Sequence, residues 1–338
     1  MIVDLPNTTT SAVAKKIQSL RAQGGVIALG RVLTLVVITK SGLEEEAIEA
    51  ANEASREHPC RIIVLAAGSP EEPARLDAQL RVGGDAGASE VIVLRGFGEL
   101  AEESESLVAA LLLPDAPIVA WWSNGAPANA SQTSIGRIAH RRITDSANEA
   151  DPRWALENIR NTYRAGDTDL AWTRLTNWRI KLAAVLDQAD DTPITAVTVE
   201  GASDSPSTIL LAAWLTQALD VPVSILADAP GTGIRGVQLI KTSGSIRLFR
   251  PGHTVAELTQ PGQPAQRISL PRRSLRDCLA EELRRLDPDE VFGETVRGLA
   301  VSRTYQEGRY RPGSPDLDSF VPERITIDEA IGKMAVTA

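Results

Sequence analysis

Three histidines, His58, His140 and His253, are the acid–base candidates, and none stands three or four residues from another. No helix face therefore offers the paired imidazoles of a metal site. Cys60 and Cys278 are the only cysteines, too few for a disulfide framework or a four-thiolate site and expected to be inert thiols in a reducing cytoplasm. Gly231-Thr232-Gly233-Ile234-Arg235-Gly236 satisfies G-x-G-x-x-G. That motif holds a pyrophosphate only where its third glycine opens a helix, and Val237 onward reads as strand, so a plain loop is expected. Neither a G-x-x-x-x-G-K-[ST] loop nor a G-x-S-x-G elbow occurs. No catalytic residue, cofactor site or metal site is assigned.

What remains is a set of arginine- and tryptophan-rich blocks. Trp121 and Trp122 end one strand, Arg141 and Arg142 lie in a basic stretch, and Asp167, Asp169, Trp172, Arg174 and Trp178 follow Gly166. Trp and Arg dominate binding hot spots, which makes these nine side chains candidate partner contacts. Competing readings stand beside it. Successive strand residues face opposite layers, so one tryptophan of the pair belongs to the core. Asp167 or Thr168 is a natural helix cap, and Asp169 suits a first helical turn. Arg81, Arg141 and Arg142 could instead hold a sugar phosphate.

The elements that position these residues alternate. β-Branched runs at 33–38, 61–67, 90–95 and 118–122 read as buried strands. Residues 74–83 alternate like a half-exposed strand, and 83–87 read as a flexible glycine connection. Helical spacing covers 8–21, 43–57, 99–112, 154–164 and 168–188. A strand at 194–200, a Ser205-Pro206-capped helix to Leu219, and strands at 221–227, 236–241, 245–250 and 265–270 follow. Helices at 273–286 and 288–297 close the body. This predicts an α/β chain of two Rossmann-like domains with mostly parallel or mixed sheets and flanking helices. The domains are expected at 1–145 and 146–297, the second with an antiparallel hairpin. Residues 298–338, rich in Pro, Gly and Asp, are expected as a tail or extended arm with a short helix after Ile325.

The chain has 338 residues and a formal charge of −9. That acidity and the lack of a basic stripe argue against nucleic acid as a partner. Apolar runs such as 107–122 are broken by prolines well short of the ~20 residues of a membrane span. No leader pattern opens the chain, so a cytoplasmic protein is expected.

Several blocks occur in the order of a known family: Leu29–Thr34 (LGRVLT), His58–Ile63 (HPCRII), Leu76–Ala88 (LDAQLRVGGDAGA), Leu113–Trp122 (LPDAPIVAWW), Arg141–Ser146 (RRITDS), Gly166–Trp172 (GDTDLAW) and Cys278–Asp287 (CLAEELRRLD). Over roughly residues 1–297 the chain resembles the actinobacterial glucose-6-phosphate dehydrogenase assembly proteins, the OpcA family. The resemblance implies a non-catalytic activator, allosteric in effect, whose protein partner is glucose-6-phosphate dehydrogenase of the pentose phosphate pathway. It implies no catalytic residues. Cyanobacterial relatives are linked to thiol-based redox control, and the thiols here are Cys60 and Cys278.

Overall fold

The computed structural model describes residues 1–24, 32–82, 90–202, 204–228, 233–299, 305–309 and 323–325. Two compact units emerge, and both are discontinuous in sequence: 1–150, 161–170 and 274–290 in the first, and 151–160, 171–273 and 291–338 in the second.

The first unit opens with β1 (Ile2–Leu5), α1 (Thr10–Gly24), β2 (Leu33–Lys40), α2 (Glu44–Ala54) and β3 (Cys60–Ala67). It continues through β4 (Arg75–Arg81), β5 (Glu90–Phe97), α3 (Glu105–Val108), β6 (Ile118–Trp122), α4 (Ser134–Ile138) and β7 (Arg141–Thr144). After α5 (Pro152–Thr162), most of which belongs to the second unit, comes the short strand β8 (Asp167–Asp169). The sheet order is β1-β4-β5-β3-β2-β6-β7-β8. Strands β5, β3, β2, β6, β7 and β8 run parallel, while β4 and β1 add an antiparallel edge. Numbered by appearance, the parallel strands lie in the doubly wound order 3-2-1-4-5-6, whose switch point falls between β2 and β6.

Runs such as Leu35–Val37 and Ile62–Leu65 are buried on both faces, which is why they read as continuous apolar segments. Alternate residues enter two separate cores. Leu35, Val37, Ile62, Val64 and Trp121 pack with α2, whereas Val36, Ile63, Leu65 and Trp122 pack with Val13 and Ile17 of α1.

The second unit takes α6 (Leu170–Thr173) from Ala171 onward and holds α7 (Thr176–Gln188), β9 (Ile194–Ala202), α8 (Pro206–Leu219) and β10 (Val223–Asp228). A meander of β11 (Ile234–Lys241), β12 (Gly244–Phe249), β13 (Val255–Thr259) and β14 (Gln266–Ser269) comes next. Helix α9 (Leu275–Arg284) returns to the first unit; α10 (Glu290–Gly298), β15 (Tyr305–Arg309) and β16 (Glu323–Ile325) complete the chain. The second sheet is mixed, in the order β14-β13-β12-β11-β9-β10-β15-β16, with β9, β10 and β15 parallel.

The α/β architecture with parallel and mixed sheets is as the sequence predicts, and the differences have local causes. The expected helix at 99–112 is broken: Ser104 accepts from the Ser106 N–H and starts a new turn at Glu105. The expected helix from Thr168 begins instead at Leu170, because Asp167–Asp169 pairs with β7 as a strand. Helix α9, expected with the second domain, lies in the first unit because Cys278, Leu279 and Leu283 complete the core beside Ala47 and Ile48 of α2. The expected arm is described at β15 and β16, where it extends the second sheet. The expected connection at 83–87 and terminal helix after Ile325 lie outside the described residues.

Candidate functional site

A doubly wound sheet binds its ligands outside the carboxyl ends of the strands, at the switch point, with a phosphate on the N-terminus of the first crossover helix. In the first unit that place is the turn from β2 into α2. Here the sequence reads Thr39-Lys40-Ser41-Gly42-Leu43 and then three glutamates. Glu44 folds back so that one carboxylate oxygen, Oε2, accepts from the Gly42 N–H at 2.5 Å. The other, Oε1, accepts from Arg95 Nε at 2.8 Å. Burial alone would raise the pKa of Glu44, but hydrogen bonds from its own N–H, Arg95 and Gly42 outweigh it and hold the carboxyl below its usual value. The helix N-terminus thus carries an internal anion, and Glu45 and Glu46 beside it would repel a phosphate.

The switch point is filled as well. Asn124, just past β6, donates from Nδ2 to Thr39 Oγ1 at 3.0 Å and accepts from the Lys40 N–H at 3.2 Å. The Ser123 N–H donates to Ile38 O at 3.1 Å. Farther along the same edge, residues 98–111 fold over the strand ends. Leu100 lies against Gly96 so closely that a Cβ there would meet the Leu100 carbonyl. The cavity left among Ile38, Leu65, Leu94, Leu100 and Leu107 holds about 20 Å³, room for one water and not for a nucleotide. Glu103 at its rim accepts from Trp122 Nε1 at 2.9 Å. The residues present do not fit a dinucleotide.

The side chains singled out from the sequence are mostly interior. Trp121 and Trp122 are each 1% exposed and belong to opposite cores. Arg141 and Arg142 start β7 and are buried; Arg141 pairs with Glu282 of α9 and donates to Asp287 O at 2.8 Å. Arg142 pairs with Asp167 and donates to Ala139 O and Ala165 O. Burial pushes the Asp167 carboxyl up, and the Arg142 guanidinium works against that push. Asp169, fully buried, accepts from Thr144 Oγ1 and from the N–H and Oγ of Ser146. These acids lie in β8 and tie it to β7, Asp167 through Arg142 and Asp169 through Thr144. Arg81 forks onto Glu45. Arg81, Arg141 and Arg142 therefore each meet a carboxylate of this chain, and a sugar phosphate would have to displace it.

In the second unit, Trp172 and Trp178 are buried and Arg174 is half-buried. Trp172 packs against Phe292 with centroids 5.7 Å apart, and the Arg179 guanidinium lies 3.8 Å from its ring. Arg250 lies 5.1 Å from the ring of Trp178, its pKa pushed down to about 10 by burial and by Arg272. The rings of Trp121, Trp122, Trp172 and Trp178 are core packing and Arg141, Arg142, Asp167 and Asp169 are buried on partners within this chain, which corrects the expected docking platform for all but Arg174. The exposed tryptophan is Trp154 on α5, at 50%. Its signal was present in sequence, an aromatic beside Arg153 at a helix start, but burial could not be read there.

Among the described residues no group of His, Cys, Asp or Glu is arranged to hold a metal ion. None of their helices is long and apolar enough to cross a membrane. Cys60 and Cys278 are buried in one core as thiols and not as a disulfide.

Comparison with known proteins places models of one family, the glucose-6-phosphate dehydrogenase subunit family OpcA, on most of the chain. Residues 51–161 match its N-terminal domain, described as the assembly domain, and residues 165–296 match its C-terminal domain. No curated protein matches. Among solved structures, an oxidoreductase from Sinorhizobium meliloti is similar at 10% identity and TM-score 0.44, covering 81% of this chain and 95% of that one. An inositol dehydrogenase homolog from Azotobacter vinelandii, complexed with NADH and myo-inositol, is similar at 9% identity and TM-score 0.41, over 80% of this chain and 94% of that one. Glucose-6-phosphate 1-dehydrogenase from Mycobacterium avium is similar at 13% identity and TM-score 0.37, over 83% of this chain and 94% of that one. Likeness at this level carries no correspondence of residues or of function.

Proposed function

Because the chain belongs to the OpcA family, whose members are named for glucose-6-phosphate dehydrogenase, we propose that it is a non-catalytic partner of that enzyme. It binds glucose-6-phosphate dehydrogenase in the cytoplasm and supports its oligomerisation or activity, acting as an allosteric activator at the head of the pentose phosphate pathway. The observation that carries the non-catalytic half of this reading is the closed crevice. Glu44 occupies the phosphate end of α2, and Asn124 bridges the strands at the switch point. The crevice where such a sheet takes a dinucleotide is there filled with the chain's own side chains, which supports a protein that acts by binding another. The test is catalytic. The protein alone should reduce no NADP⁺ in the presence of glucose 6-phosphate, and titrating it into a fixed amount of the dehydrogenase should raise the rate to a plateau. Cofactor reduction by the protein alone, or a rate that stays flat across the titration, would overturn the proposal.

A further inference from the structure

The sheet of the second unit has two unequal faces. Val197, Val199, Val237, Leu239, Leu248 and Leu258 point to one side and are buried. On the other side, strand register aligns Ser224, Thr198, Gln238, Arg247 and Thr259 in one row. The next row is Leu226, Glu200, Gly236, Phe249, Glu257 and Arg267. The side chains of both rows are half-exposed or exposed, save Gly236, which the ring of Phe249 covers. Three strands of this sheet, β9, β10 and β15, run parallel, and parallel strands are ordinarily covered on both faces.

The centre of the open face is built rather than merely polar. A Cβ on Gly236 would stand 3.1 Å from Phe249 Cδ2 and 3.3 Å from Glu200 Oε2, so the glycine leaves room for both side chains to close over it. The Arg247 guanidinium is 4.2 Å from that ring's centroid and donates to Glu200 Oε2 at 3.0 Å. An irregular register between Ile234 and Gly236 turns Arg235 to the same side, 5.5 Å from the ring. An aromatic ring flanked by two arginines is the composition of an interface hot spot.

Charge and area decide the occupant. Among the described side chains the face carries Arg235, Arg247 and Arg267 against Glu200 and Glu257, a basic excess on a chain of net charge −9. A second copy would set arginine excess against arginine excess, whereas an acidic surface on a different chain would complement it. The six strands that carry these rows, at about 4.8 Å spacing and about five residues each, give roughly 500 Å² in plan. That is more than half of the ~800 Å² that each partner contributes to a stable interface. We propose that this open face is where the chain docks an acidic surface of a different protein, and, resting on the reading above, that this protein is glucose-6-phosphate dehydrogenase.

The test uses the full chain and the purified dehydrogenase, with affinity, the mass of the isolated protein and its melting temperature read for wild type, Phe249→Asp and Arg247→Glu. Arg247 is partly exposed, so its variant is the one expected to fold without difficulty. The expected result is a monomeric wild type that binds, with each folded variant losing about thirtyfold or more in affinity. Binding unchanged in a folded Arg247→Glu variant would overturn the docking face while leaving the proposed function intact. A wild-type homodimer that either variant splits would overturn it in favour of a second copy. A wild type that does not bind the dehydrogenase at all would overturn both readings, a result visible in the control before any variant is measured.

Discussion

Replacing Glu282 by alanine separates a structural arginine from a docking arginine. The side chains of Arg141 and Glu282 are 2% and 7% exposed, so the pair is out of water. Removing the acid leaves the guanidinium buried, with the Asp287 carbonyl as its remaining acceptor on that side, and it also strips Thr168 Oγ1 of the Glu282 oxygen 3.3 Å away. An uncompensated buried charge costs about 3–5 kcal/mol. At roughly 2–4 °C per kcal/mol for a body of this size, the first unit should melt some 6–20 °C lower. Urea denaturation and calorimetry of the isolated protein give both numbers. The double variant Arg141→Met with Glu282→Leu should recover to within about 2 kcal/mol of wild type, because apolar replacements of similar volume need no partner. A loss below about 1 kcal/mol in Glu282→Ala would refute the reasoning, since the pair would then be solvated and Arg141 free to meet a partner.

Trp121→Ala and Trp122→Ala should each cost about 3–5 kcal/mol in unfolding free energy, being cavity-forming changes in opposite cores; a folded variant of unchanged stability that loses only partner binding would return these rings to the interface. Millimolar NADP⁺ or glucose 6-phosphate should leave the melting temperature of the isolated protein unmoved, since a ligand of the native state must raise it, and a rise with either would show the closed crevice to be open. Acid titration should show a loss of stability tied to Glu44. Its folded carboxyl titrates below the ordinary glutamate value of 4.5, so the unfolded chain binds more protons and the stabilisation, complete above that value, disappears as pH falls through the folded one. Glu44→Gln should flatten that limb of the stability–pH curve, and an unchanged slope would show that Glu44 does not set it.

The central strands were legible because they are buried on both faces: Leu35–Val37 and Ile62–Leu65 are continuous apolar runs that only a covered sheet accommodates. The opposed burial of Trp121 and Trp122 follows from the alternation of a strand, and that much was readable too. Strands β7 and β8 were not, because their side chains are charged and their burial depends on partners far along the chain. Arg141 is matched by Glu282, which arrives on α9 from a segment that sequence order assigns elsewhere. The closed crevice was half visible. Glu44, Glu45 and Glu46 sit where any helix start favours acids, and nothing local shows that Glu44 turns back onto Gly42 and Arg95. The open sheet face lay in plain alternation along β11 and β12. Its meaning depends on the register that sets Phe249 over Gly236 beside Glu200, a three-strand relation no single segment contains.

Native mass spectrometry of this protein mixed with purified glucose-6-phosphate dehydrogenase, at physiological ionic strength, tests the proposed partnership most directly. A discrete assembly containing both chains in fixed ratio is the predicted result. Masses of the two components alone, unchanged across a concentration series at which the dehydrogenase remains active, would contradict it.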